Sequence, residues 1–105
     1  MAKYWFGHNP SGRLLAGSAT VDFASVADGN EEAANITVTG AALGDIVMVS
    51  HSLDVQDLQI TADVTAADTV TAVISSSGDT VNMAEGTVRV LVIPSGAVDK
   101  IIAGM

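Results

Sequence analysis

Thr87-Val88-Arg89-Val90-Leu91-Val92-Ile93 is the stretch on which the fold turns. Side chains alternate between faces along a strand, so Val88, Val90 and Val92 fall on one side and Arg89, Leu91 and Ile93 on the other. The run is rich in β-branched residues and lacks helical spacing, which reads as a strand. Pro94 closes it, because proline has no N–H to give to a ladder. One face can line the chain's own core. The other is apolar too, and needs a second cover.

Upstream, the same two-residue period recurs in short runs divided by turn residues. Leu58, Ile60, Ala62 and Val64 alternate with Gln59, Thr61, Asp63 and Thr65, and Thr69–Ser75 follows, ending at Ser76-Ser77-Gly78-Asp79. Asn35–Thr39 sets Ile36 and Val38 on one side and closes at Gly40. Gly44-Asp45 introduces Ile46–Ser50, an unbroken apolar run of the kind buried on both faces. The first strand is expected at Ala19–Phe23, before a turn at Asp28-Gly29-Asn30. A short pairing near Thr80–Met83 brings the expected number of strands to about seven. Helical spacing is confined to single turns at Ala41–Leu43, Ala66–Asp68 and Val98–Ala103. No solenoid repeat is visible. Evenly spaced short strands predict an all-β chain built as an antiparallel β-sandwich.

Composition agrees and excludes more. Val, Ile and Thr together number 30 of the 105 residues, whereas aromatics make up only 4%, so the core is aliphatic and small. That length makes one domain. Four basic residues against twelve acidic ones give a net charge of −8, which cannot replace the counterions of a nucleic acid and is repelled by an anionic membrane. There are no cysteines, hence no disulfide framework, thiolate metal site or cysteine nucleophile. No apolar run nears the ~20 residues of a membrane span. The opening MAKYWFGHNPSG breaks at Gly7, His8 and Asn9 before a secretory core forms, so a protein made and used without export is expected. Only 15% of residues are charged, against ~25% in ordinary soluble domains. Such a surface is often hidden in an assembly.

Two segments stand apart from the strand pattern. Residues 1–17 read as an extended N-terminal arm and 18–105 as the β domain with a short apolar tail. The arm holds Tyr4, Trp5 and Phe6, three of the four aromatics, flanked by Lys3 and Arg13. Adjacent aromatics on a non-periodic segment suit an anchor for a partner, since aromatics dominate interface cores. One or two of them folding back over an open end of the sandwich is the competing use. The tail carries Ile101 and Ile102, which with Leu91 and Ile93 form the expected oligomer interface.

Chemistry-bearing patterns are incomplete. Ser50-His51-Ser52-Leu53-Asp54 holds the residue types of a hydrolytic triad, but strand neighbours point apart and no G-x-S-x-G elbow accompanies them. Asp28-Gly29-Asn30-Glu31-Glu32 begins like a calcium loop, yet lacks the glycine at the sixth position and the glutamate at the twelfth. His8 and His51 are at most half of a zinc site. Phosphate-loop, dinucleotide and C-x-x-C motifs are missing. No catalytic, cofactor-binding or metal-ligating residue is expected, and no enzyme activity.

Residues 20–93 resemble a small β module of tailed-bacteriophage virion proteins. The carriers are ITVTGAALGDIVMVS (Ile36–Ser50), with its Gly44-Asp45 step, and VTAADTVTAVISSSGDTVNMAEGTVRVLVI (Val64–Ile93), with a V-x-A-x-D-T-V-T strand and a final x-G-T-x-R-V-x-V strand. The resemblance implies a jelly-roll-like sandwich in a capsid-decorating (cement) or head-fibre protein. It implies a homotrimer on the outer capsid surface, partnered by the major capsid protein and assembled in the host bacterial cytoplasm. It carries over no catalytic residue and no cofactor. The alternative function is a receptor- or carbohydrate-binding module of a head or tail fibre. Sugar-binding modules usually stack exposed aromatics on the ring, and the body offers only Phe23.

Overall fold

The computed structural model describes residues 13–105. They form β1 (Leu15–Val21), β2 (Glu31–Thr37), β3 (Ile46–His51), β4 (Gln59–Ala66), β5 (Thr69–Ser75), β6 (Gly86–Ile93) and a terminal helix, α1 (Ser95–Ala103). The strands make two antiparallel three-stranded sheets, one ordered β1-β6-β3 and the other β2-β5-β4. Among the described residues the fold is all-β apart from one short helix. Only β4 and β5 are joined by a hairpin within a sheet; the other four connections between strands cross from one sheet to the other.

Each sheet is centred on a strand whose inward side chains are small and fully enclosed. On β6 these are Val88, Val90 and Val92; on β5 they are Val70, Ala72 and Ile74. They meet Phe23, Val26, Ile36, Val38, Leu58, Val64, Val81 and Met83 in one continuous core. A core almost without aromatics fills its space with many branched aliphatics, each contributing ~1.5–3 kcal/mol when buried. The sheets also approach at their edges, β1 beside β2 and β3 beside β4. Gly17 permits the first approach. A Cβ there would lie 2.8 Å from Val38 Cγ2 and 3.0 Å from the Thr37 carbonyl, closer than packed atoms tolerate.

Several boundaries differ from the sequence reading. Leu15, Ala16 and Gly17, assigned above to the arm, are the first residues of β1 and pair with Val92, Leu91 and Val90. Their small, weakly alternating side chains hide a strand that the β6 ladder creates. Phe23 lies beyond β1, although it is buried as its phase implied. β2 begins at Glu31, four residues earlier than expected, because Glu31–Ala34 pair with Val73, Ile74 and their neighbours on β5. The Thr80–Met83 pairing reduces to a bridge between Val26 and Val81, leaving six strands among the described residues. The V-x-A-x-D-T-V-T segment is not one strand: Ala67 and Asp68 turn the chain between β4 and β5. Asp68 adopts a φ of 62° there, and its Oδ1 accepts the Gly40 N–H at 2.8 Å. The helix starts at Ser95, a turn before the expected Val98.

The largest correction concerns β3. Its apolar run predicted burial on both faces, yet Ile46 is 47% and Met48 58% exposed. β3 is an edge strand, and among the described residues no layer covers its second face.

Candidate assembly interface

The outward face of the β1-β6-β3 sheet follows from strand alternation and register. Ala16 stands opposite Leu91, and Leu91 opposite Met48, making one cross-strand row. Ile93 stands opposite Ile46 in the next row, and Ser18–Arg89–Ser50 form the row on the other side. Leu91 and Ile93 are half-buried, Ile46 and Met48 largely exposed. The face is therefore an apolar strip bordered by serines, with Arg89 between them. A shallow depression lined by Met48, Ser50, Arg89 and Leu91 marks the junction. None of the outward strand positions is acidic, although the chain holds twelve carboxylates.

α1 begins at the end of this sheet. Pro94 stands at its N-cap and supplies no side-chain cap. Asp45, from the turn before β3, does the capping from a distance: its Oδ1 accepts the Ser95 N–H at 2.8 Å, and its Oδ2 accepts the Ala42 N–H at 3.0 Å. A carboxylate at a helix N-terminus also faces the positive end of the helix dipole. The residue is buried. Gly44, at φ +94°, makes the turn that brings Asp45 inward, a conformation strained for a residue with a Cβ. Ala97 is enclosed against the body, whereas Ile101 and Ile102 are 51% and 60% exposed.

Leu91, Ile93, Ile101 and Ile102, singled out from the sequence, thus lie on two surfaces, the sheet face and the far half of α1. Ile46, Met48 and Asp45 were missed. The two-residue spacing of Ile46 and Met48 was the available signal, masked by the apolar Val47 and Val49 between them. Among the anchor residues, Arg13 is exposed just ahead of β1. Lys3, Tyr4, Trp5 and Phe6 lie outside the described residues, as does His8.

The other polar motifs are turned to backbone groups. His51 Nδ1 accepts the Leu53 N–H at 3.0 Å, Asp54 Oδ1 the Gln56 N–H at 2.9 Å, and Ser52 Oγ the Thr87 N–H at 2.9 Å. These bonds shape the bend after β3 and leave the three residue types unconnected. His51 Nε2 is enclosed without a hydrogen-bond partner, its ring centroid 6.3 Å from that of Phe23. Asp28 Oδ1 accepts the Gly78 N–H at 2.8 Å, and Gly29 donates to Ser76 O at 2.9 Å, so the 28–30 turn clasps the 76–79 turn. Among the described residues, no three His, Asp or Glu side chains gather as a metal site. No described helix is long and apolar enough to cross a membrane. Compared with known proteins, the chain matches no family model, no curated protein and no solved structure.

Proposed function

We propose that this protein is a non-enzymatic virion structural protein that decorates and stabilises a bacteriophage capsid. It acts as a homotrimeric clamp on the major capsid protein, at the outer surface of a shell assembled in the bacterial cytoplasm. The observation that carries the reading is the uncharged apolar strip Ile46, Met48, Leu91 and Ile93 on a chain of net charge −8. A face of that kind is a contact surface. Several modest contacts made by one rigid oligomer hold a lattice far more firmly than any one of them. The excess of carboxylates keeps such a clamp off the packaged genome.

The strand order supports a jelly-roll-like sandwich. β1 pairs with β6 and β2 with β5 as in a long ribbon, which is rolled so that β6 also meets β3 and β5 also meets β4. A jelly roll winds eight strands in this manner, two more than the six described here. The anchor role falls to Lys3, Tyr4, Trp5, Phe6 and Arg13, which lead into the edge strand of the apolar sheet.

Co-sedimentation of the purified protein with capsid shells tests the reading. Deletion of residues 1–12, which spares β1, should abolish shell binding and leave a cooperative melt. Intact protein that stays in the supernatant at every shell concentration counts against decoration. A truncated protein that still sediments with shells removes the arm as anchor.

A further inference from the structure

We infer that α1 of one copy seats on the outward face of the β1-β6-β3 sheet of the next, with Asp99 meeting the neighbour's Arg89. Copies then join head to tail and close into a ring. The inference deepens the assembly reading above and rests on it.

Among the described residues two apolar surfaces stand exposed, and neither covers the other within one copy. α1 is pinned at its start by Pro94 and by the Asp45–Ser95 hydrogen bond. Ile101 and Ile102 on its far half remain exposed, and so do Ile46 and Met48 on the sheet. At ~100° per residue, Val98, Ile101 and Ile102 share one helix face, Asp99 lies on its margin and Lys100 on the opposite side. The donor surface is thus an apolar ridge with a carboxylate at its edge. The acceptor surface is an apolar strip with a guanidinium at its edge, set between Ser18 and Ser50 rather than beside a carboxylate.

The spacings agree. Along β6, Arg89 and Leu91 are two residues apart, ~7 Å. On α1, Asp99 and Ile102 are neighbours at i, i+3, with Cβ atoms ~5–6 Å apart. Ile102 placed against Leu91 and Met48 therefore brings Asp99 within reach of Arg89. A face-to-face pairing of two such sheets works less well. It sets the strip's one cation in the neighbourhood of its own copy and leaves both helices bare. The helix-to-sheet contact is heterologous, and a heterologous contact that closes gives a ring.

Cysteine cross-linking tests it cleanly, because the chain has no cysteine of its own. Met48→Cys and Ile102→Cys chains, co-expressed with different tags and oxidised, should form a covalent pair linking residue 48 of one to residue 102 of the other. Neither variant alone should cross-link, and the double variant should give a ladder that stops at the ring size. Arg89→Asp should weaken association at least about tenfold, and adding Asp99→Arg to the same chain should restore it. An oligomer in which Met48→Cys cross-links to itself, or in which no 48–102 link forms, overturns this contact but leaves the assembly reading standing. A wild-type protein that is monomeric by light scattering overturns both.

Discussion

The two sheets have the same size and the same kind of core, and opposite outer faces. Outward from β2, β5 and β4 stand Asn35, Thr37, Thr61, Asp63, Thr69 and Thr71. Their side chains bond to one another: Thr71 Oγ1 donates to Asn35 Oδ1 at 2.8 Å and lies 2.7 Å from Thr65 Oγ1. That surface is satisfied as it stands in water. Outward from β3 and β6 stand Ile46, Met48, Leu91 and Ile93, which water does not satisfy. A chain able to make a polar outer sheet in one place has left the other apolar. Under the reading proposed above, the second face is the one that contacts other copies.

The sharpest way to break the comparison is to place the same charge on both faces. Leu91→Asp should release monomers, since an unpaired carboxylate at a buried contact costs ~3 kcal/mol, more than a hundredfold in dissociation constant. Val73→Asp, on the outward side of β5 between Ala33 and Thr61, should leave the oligomeric state untouched. Light scattering at low micromolar concentration reads both. Equal responses would mean that the faces do not differ in use.

Next in size is the link that holds the helix beside the apolar face. Asp45→Ala leaves the Ala42 and Ser95 N–H groups without their acceptor, a loss of about 1–3 kcal/mol in denaturant unfolding. The helix should also fray, lowering association further than the stability change alone explains. If stability falls and association holds, α1 has no part in the contact.

Gly17→Ala probes where the sheets meet rather than where they face outward. Its Cβ has no room beside Val38 and the Thr37 carbonyl, and about 1–3 kcal/mol of stability should be lost. Oligomers of the refolded variant should nonetheless form, because the outer strip is unchanged. A variant as stable as wild type would show that β1 and β2 approach less closely than described.

The smallest effect is expected on the polar face. Thr71→Val removes two exposed hydroxyl hydrogen bonds and adds a good strand former, so the midpoint of thermal unfolding should move by the equivalent of about 0.5 kcal/mol or less. A large loss there would mean that the polar face has a structural weight the comparison denies it.

Much of the fold was legible because alternation survives wherever one face is buried. β5 was read with its observed bounds, Thr69–Ser75, and β6 to within one residue. β1 was legible only in part: Leu15–Val21 is too rich in small residues to show its period. β3 misled for the opposite cause. Ile46, Val47, Met48 and Val49 are all apolar, and a run without alternation cannot say which face is open. Of the residues proposed for the interface, Leu91 and Ile93 were legible as the face opposite Val88, Val90 and Val92, and they lie on the outward side of β6. Asp45 escaped because its role depends on Ser95, fifty residues away.

Class and inventory were readable from the chain alone: short alternating strands, an aliphatic core, an acidic composition without cysteine, and an apolar last strand and tail. Those are properties of local period and composition, which need no partner to be read. Tertiary structure decided which strand is central and which is at an edge, that Asp45 caps α1, and that the apolar surplus gathers on one sheet and one helix. Register and sheet order arise from contacts between residues far apart in the chain. Local pattern carries no record of which distant strand supplies the other half of a ladder.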